Sequence, residues 1–517
     1  MSTATITPAS PAGLIAADPL PYYNSLIVCG RRLRSQWEAE AHRFWPDAEV
    51  AVVNAAGLEK SLVKLRERAV ADGKPLVAIM TYQTVAKHVE TLREFYSLDG
   101  ERKSDDLVVD EAVILKNPNS GRSQALWELR DLFLRGVALT GTPIEKDLDD
   151  MGSILAWVRN DRTMFHGIRL TTRFDVTKET GPGSVEALWQ ALGPIVFRRD
   201  RSEISDELPK IQVETVLVDP EPAERKLAEA ARVHLREILN DLTARIEELA
   251  EVDKDDPRIA KVRETLKSLR GAALGGVTLA RMAASDPMAV KESESAGAKL
   301  LASKGLVEPA VKTGGTKREL IVGLTEELVD NGEAVLIFTE FATLADHLVS
   351  DLKEAGIRVA CIKGGMTDKA ADDAQAGFQG GTGSNIGKDV KYDVLVLTKA
   401  AKEGLNLQRA SVLINYELPW LPSDLVQRIG RASRIGSTAD TLQVINPVMA
   451  GTIEERAAKK LVQRGMTQLA ALDNPRGVKA ADTETGLALS GLVDAVSDEI
   501  VEDHEEGLLA MARDLIG

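Results

Sequence analysis

Short, unbroken apolar runs, each followed by a stretch with helical spacing, recur at both ends of this chain. Near the start they are Leu26–Cys29, Ala51–Val53, Leu76–Ile79, Leu107–Val109 and Gly136–Leu139, with Arg34–Arg43 and Leu58–Val70 repeating at helical intervals among them. A strand covered by helices on both faces needs an unbroken apolar run rather than an alternating one, so these runs read as parallel strands of an α/β sheet. The same pattern returns in Ala334–Phe338, Arg358–Ile362, Asp393–Leu397, Val412–Asn415 and Thr441–Ile445. Two separate α/β lobes fit this better than one continuous sheet. Between them, Glu221–Leu301 is rich in Ala, Leu, Glu, Arg and Lys, and is predicted to form long helices arranged as a solvated hairpin. Residues Gln379–Lys391 are predicted to be a flexible loop.

Composition narrows the field. The chain has 517 residues, 44% hydrophobic and 28% charged, which suits two or three globular domains rather than one core or a disordered chain. The two cysteines, Cys29 and Cys361, form no CxxC pair, and the six histidines show no metal-ligand spacing, so neither a disulfide framework nor a structural metal is expected. No apolar run approaches the length of a membrane span, and Met1–Tyr23 lacks a basic stretch before its apolar residues; a cytoplasmic protein without membrane contact is expected. The net charge is −15, but the segment from Gly477 onward holds ten acids against two bases, so the body is only mildly acidic. A locally positive nucleic-acid cleft is compatible with that balance.

Three segments carry candidate chemistry. Leu107–Val109 runs into Asp110 and Glu111, which places two carboxylates at the carboxyl edge of a parallel sheet, where open α/β folds bind ligands. In a nucleotide hydrolase the first acid holds Mg²⁺ and the second orients or deprotonates the attacking water; a loop cap accounts for the pair equally well. A second strand ends in Thr140-Gly141-Thr142-Pro143, which also fits an ordinary strand-to-helix turn. Gln427–Gly436 (QRIGRASRIG) is the sharpest signal. On a helix Arg431 and Arg434 would project from one face, as two guanidiniums able to clamp phosphates.

With these segments in view, Val394–Gly436 resembles motifs V and VI of Swi/Snf-like ATPases in helicase superfamily two, closest to bacterial members that act with RNA polymerase. Other blocks resemble the family in its own order: Leu26–Trp37 motif Ia, Ile79–Val85 motif Ib, Val108–Ser120 motif II, Ala138–Met151 motif III, Leu192–Gln212 the lobe-bridging segment, and Val335–Phe341 motif IV. The resemblance implies two RecA-like lobes with ATP between them and double-stranded DNA tracked through its backbone. It implies that Asp110 and Glu111 serve Mg²⁺ and water, that Gln427, Arg431 and Arg434 serve the phosphates, and that Gly404 sits near the nucleotide. Thr81, Thr398, Lys399 and Asn406 would lie near the DNA backbone. The corresponding division is a leader at 1–24, a first lobe at 25–215, a helical insertion at 216–315, a second lobe at 316–470 and an acidic tail at 471–517.

The chain also departs from the pattern. It contains no G-x-x-x-x-G-K-[ST] phosphate loop; Thr382–Asp389 (TGSNIGKD) mimics one but precedes a strand instead of following it. Val113 stands where the family usually has His, and Asp372 where it usually has Arg, which puts DNA contact at that spot in doubt. Loss of the phosphate loop implies loss of a strand from the first sheet, leaving ladder groups unpaired. Three explanations stay open: a misassigned start, a separate chain supplying strand and loop, or a degenerate relative. The intact Asp110, Glu111, Arg431 and Arg434 favour the first two. The expected function is an ATP-dependent DNA translocase that remodels protein–DNA complexes. The alternative is a catalytically silent scaffold binding DNA or a polymerase.

Overall fold

A computed structural model describes residues 24–97, 104–141, 143–144, 148–161, 170–174, 181, 183–192, 195–197, 206–251, 258–399 and 405–472, with 485, 488, 489 and 492. Its contacts divide these into two compact units, one running to Phe197 and the other from Asp206 to Leu469.

The first unit is built on five parallel strands: β1 (Asn24–Cys29), β2 (Glu49–Val52), β3 (Leu76–Thr81), β4 (Ser104–Asp110) and β5 (Phe133–Leu139), in the order β2-β3-β1-β4-β5. Parallel neighbours need crossovers, which the helices between strands provide, including α1 (Arg34–Phe44). Alternate residues feed two cores. Leu26, Val28, Ala78, Met80, Leu107 and Val109 enter one, while Ile27, Cys29, Val77, Ile79 and Val108 enter the other. Among the described residues β5 ends the sheet. Leu134 is 56% exposed there, and Val137, Ala138 and Leu139 are only half-buried, whereas β4 beside it is buried along nearly its whole length. Gly136 of β5 is required by its neighbour, because a Cβ there would come within 2.4 Å of the Arg130 Nε. That guanidinium is fixed by the carbonyls of Trp157, Phe133 and Val158.

The second unit holds six parallel strands: β6 (Lys210–Val218), β7 (Val335–Thr339), β8 (Val359–Ile362), β9 (Val394–Thr398), β10 (Val412–Asn415) and β11 (Thr441–Met449). Their order is β6-β11-β10-β7-β9-β8. Again the apolar residues sort by parity, with Val335, Ile337, Val394, Val396, Val412 and Ile414 on one face and Leu336, Phe338, Leu395, Leu397 and Leu413 on the other.

The α/β class with two parallel sheets agrees with the expectation, and each of the ten expected runs is a strand. One strand was not expected. β6 pairs along its length with β11, Lys210 opposite Thr441 and Val218 opposite Met449, so residues 210–215 hydrogen-bond into the second sheet although the sequence reading counted them with the first lobe. The solvated helical hairpin needs correction. Helices α2 (Pro222–Glu251) and α3 (Arg258–Ser285) bury Leu227, Leu235, Leu239, Leu242, Ala273 and Val277 in the same core as β7, β9 and β10. They pack against each other and the short helices that follow, while helices Thr316–Asp330 and Ala342–Glu354 lie directly on the strands, so the apolar parallel sheet does not leave this face to water.

Candidate functional site

In the first unit β4 delivers Asp110 to the carboxyl edge of the sheet, as the apolar run before it demands. The Trp37 indole N–H on α1 donates to Asp110 Oδ2 at 2.8 Å, and the Glu111 backbone N–H donates to Oδ1 at 2.9 Å. Burial pushes the Asp110 carboxyl above the usual aspartate range, and these two donors partly oppose the rise. Glu111 takes a left-handed backbone (φ 51°, ψ 52°) that non-glycine residues rarely adopt, so the chain turns sharply after the strand. Asp110 keeps unshared lone pairs besides the two it commits, and Mg²⁺ commonly takes one or two carboxylates plus waters and substrate phosphates. The donor set fits that ion. Among the described residues no group of three or more His, Cys, Asp and Glu side chains could hold a metal by itself. Thr81 ends β3 and is only 8% exposed, its hydroxyl capping helix Tyr82–Lys87 by accepting from the Thr84 N–H at 3.1 Å.

In the second unit, helix α4 (Pro422–Ala432) starts on Pro422, where a missing N–H costs nothing, and buries Leu425, Ile429 and Ala432. That phase leaves Gln427 and Arg431, four residues apart, on the same half-buried side. The expectation that Arg434 continues this helical face is corrected. The helix ends at Ala432, Gly436 takes φ +85°, and Arg434 lies in the turn that follows. There its Nε donates to the Gly430 carbonyl at 2.8 Å, and its backbone N–H donates to the Ser437 hydroxyl at 3.0 Å. Burial lowers the Arg434 pKa.

Thr398 closes β9 and is 5% exposed, and its hydroxyl has no hydrogen-bond partner among the described residues. Lys399 follows it, about half-exposed. Asn406 donates through Nδ2 to Gln408 Oε1 at 3.0 Å, while its own Oδ1 is buried without a partner among the described residues. Gly404 lies outside the described residues, as do nearly all of the acidic tail and all of the leader except Asn24, which begins β1.

The sequence reading passed over the residues that organise this edge. Arg428 is 5% exposed. Its Nη1 donates to Asn415 Oδ1 and to the Glu417 carbonyl, each at 2.8 Å, and its Nη2 pairs with Glu340 Oε1. Asn415 in turn donates to Asn446 Oδ1 at 2.8 Å. Glu417 is buried, accepting from the Thr339 hydroxyl at 3.2 Å and the Glu340 N–H at 3.0 Å, and burial pushes its carboxyl up to about 7. The signal for Arg428 was present, since it falls three residues after Leu425 and one before Ile429 on the apolar side of the helix.

Comparison with known proteins bears on what these edges belong to. Residues 13–270 match the family model of the SNF2-related domain, and residues 316–436 match that of the helicase conserved C-terminal domain. An uncharacterized ATP-dependent helicase of Mycoplasma pneumoniae is 26% identical over 84% of the chain, and the chromodomain-helicase-DNA-binding protein 1-like of Danio rerio is 26% identical over 95%. The chain spans only 36% and 43% of the lengths of those two proteins. Among solved structures, the Sulfolobus solfataricus SWI2/SNF2 ATPase core in complex with dsDNA aligns over 88% of this chain and 84% of its own, with 22% identity and a TM-score of 0.33. The Pyrococcus furiosus Hef helicase domain aligns over 84% of this chain and 88% of its own, with 18% identity and a TM-score of 0.46. With both domain models matched in order, the chain belongs to the Swi/Snf-like family of superfamily-two helicases.

Proposed function

We propose that this chain is the motor part of an ATP-dependent double-stranded DNA translocase that remodels protein–DNA complexes. One observation carries the reading: a single chain of this family holds Asp110 and Glu111 at the carboxyl edge of one parallel sheet and Gln427 and Arg431 on one side of a helix in its second unit. Asp110 would hold Mg²⁺, which neutralises phosphate charge when bound. Glu111 orients the attacking water and accepts its proton, and Gln427, Arg431 and Arg434 compensate charge on the phosphates. Gly404 belongs near the nucleotide, and Thr81, Thr398, Lys399 and Asn406 near the DNA backbone. Backbone contacts of that kind make binding independent of sequence and steeply salt-dependent.

The phosphate loop would come from a polypeptide segment outside these residues. The half-exposed β5, which ends the sheet among the described residues, supports this, because a further parallel strand would cover it and end at the same carboxyl edge as Asp110, with β5 between the two. RNA polymerase is a second proposed partner, and the cytoplasm the proposed location. Among the described residues no helix is long and apolar enough to cross a membrane.

The test joins a strand and G-x-x-x-x-G-K-T loop to the chain and measures ATP hydrolysis with and without duplex DNA. DNA-stimulated turnover is expected, lowered about 10²–10⁴-fold by Glu111→Gln and at least 10³-fold by Arg431→Ala. Turnover surviving both changes removes these roles. DNA retention with no turnover after complementation establishes the silent scaffold instead.

A further inference from the structure

Glu340 follows β7 directly, and its side chain is 6% exposed. One of its oxygens pairs with Arg428, and the other lies 3.5 Å from the Lys399 ammonium at the end of β9. One carboxylate therefore serves at least two cations from two elements. The two are not equally free to leave. Arg428 is buried, and two further acceptors on β10 and just beyond it fix its guanidinium, so departure would strand a charge in the interior. Lys399 is 53% exposed, and its carboxylate contact is long. An ammonium on a flexible stem exchanges partners readily, and a phosphate oxygen is a competitive anion for it.

We infer that Glu340 is a positioning residue that anchors the arginine-bearing helix through Arg428 and holds Lys399 in reserve, releasing it to backbone phosphate when DNA arrives. The inference rests on the reading of Lys399 as a DNA contact. When Lys399 leaves, a larger part of the Glu340 charge falls to Arg428, the residue next to Gln427. DNA engagement thereby alters the electrostatic setting of the helix assigned to the nucleotide phosphates, through one carboxylate and without any movement of the sheet.

The test uses the full chain and a short non-specific duplex, with affinity measured by fluorescence anisotropy across a salt series. Glu340→Gln keeps an acceptor for Arg428 and removes the charge that retains Lys399. It should tighten DNA binding about threefold, in keeping with a half-exposed pair. Lys399→Met should weaken binding and reduce the salt slope by about one, and the double variant should behave as Lys399→Met alone. An unchanged affinity in Glu340→Gln, or a gain that persists without Lys399, overturns the inference. A second readout needs no DNA: acylation of lysine amines followed by mass spectrometry. Lys399 should react about threefold faster in Glu340→Gln than in the wild type, and equal reactivity overturns the pairing. If Lys399 is released in this way but Lys399→Met binds DNA as the wild type does, the pairing stands and the DNA reading of Lys399 fails. Glu340→Asp, which keeps the charge and withdraws it by one methylene, decides by the same labelling should Glu340→Gln not fold. It is expected to give an intermediate rate.

Discussion

At the carboxyl edge of the first sheet, Asp110 is steadied by one indole N–H and one backbone N–H. At the same edge of the second sheet, Arg428, Asn415, Asn446, Glu340, Glu417 and Thr339 form a continuous buried chain of hydrogen bonds that ties β7, β10, β11 and α4 together. The end strands do not carry this contrast: β5 leaves apolar side chains half-exposed, and β6 and β8, which end the second sheet among the described residues, are only partly buried as well. Two sheets built by one rule thus hold their functional edges differently. The acid pair sits on a lightly supported rim, and the arginine helix sits on a rim whose polar groups fix one another.

The largest expected effect comes from breaking the second rim. Arg428→Ala removes a buried cation and takes from Glu340 its buried partner, which should cost about 3–5 kcal/mol of unfolding free energy. Hydrogen exchange read peptide by peptide should show protection falling in β7, β10 and α4 while β1, β3 and β4 keep theirs. Uniform loss across both units would erase the contrast.

A smaller effect follows from Glu417. Its folded carboxyl is raised to about 7, above the ordinary value of 4.5. The folded state therefore binds the extra proton between these limits. The stabilising contribution is complete below about pH 4.5 and is lost as pH rises to about 7, with a slope of at most about 1.4 kcal/mol per pH unit. Glu417→Gln should flatten that stretch of a urea-midpoint-against-pH curve. An unaltered curve would show that the carboxyl does not titrate there.

The smallest effect belongs to the first rim. Trp37→Phe deletes a single donor to Asp110 and should cost about 1 kcal/mol. A carboxyl titration by NMR should show the Asp110 pKa rising further, since a lowering influence has gone. A fall would mean that the indole does not serve the carboxylate.

Much of this architecture could be read from the chain because parallel strands buried on both faces leave an unmistakable trace. Leu76–Ile79 and Asp393–Leu397 need no context to be recognised. β6 escaped because an edge strand alternates over most of its length: Lys210, Gln212 and Glu214 face water while Ile211 and Val213 pack inward, so only the short run Val216–Val218 marks it. The long helices were legible as helices, but their burial was not, since the partner of an apolar helical stripe lies elsewhere in the sequence. Asp110, Glu111 and Arg431 were found as motif residues, whereas Arg428, Glu340 and Trp37 were not. Their importance arises from who stands opposite them, and spacing along one strand or helix carries no trace of a partner on another. Arg434 was misplaced for a local reason, the helix stop set by Gly436 and the Ser437 hydroxyl.

The pairing of β6 with β11 has a consequence for how the polypeptide is made. Lys210 reaches its partner Thr441 only after both long helices and four other strands have been synthesised. At usual elongation rates the strand waits on the order of ten seconds or more beside the ribosome. During that interval its nine residues, Leu217 among them, present an unpaired backbone edge. Chains released before Met449 should therefore be captured by chaperones or aggregate, even though β1 to β5 of the first unit have already been made. Birth of the second unit is a late, all-or-nothing event.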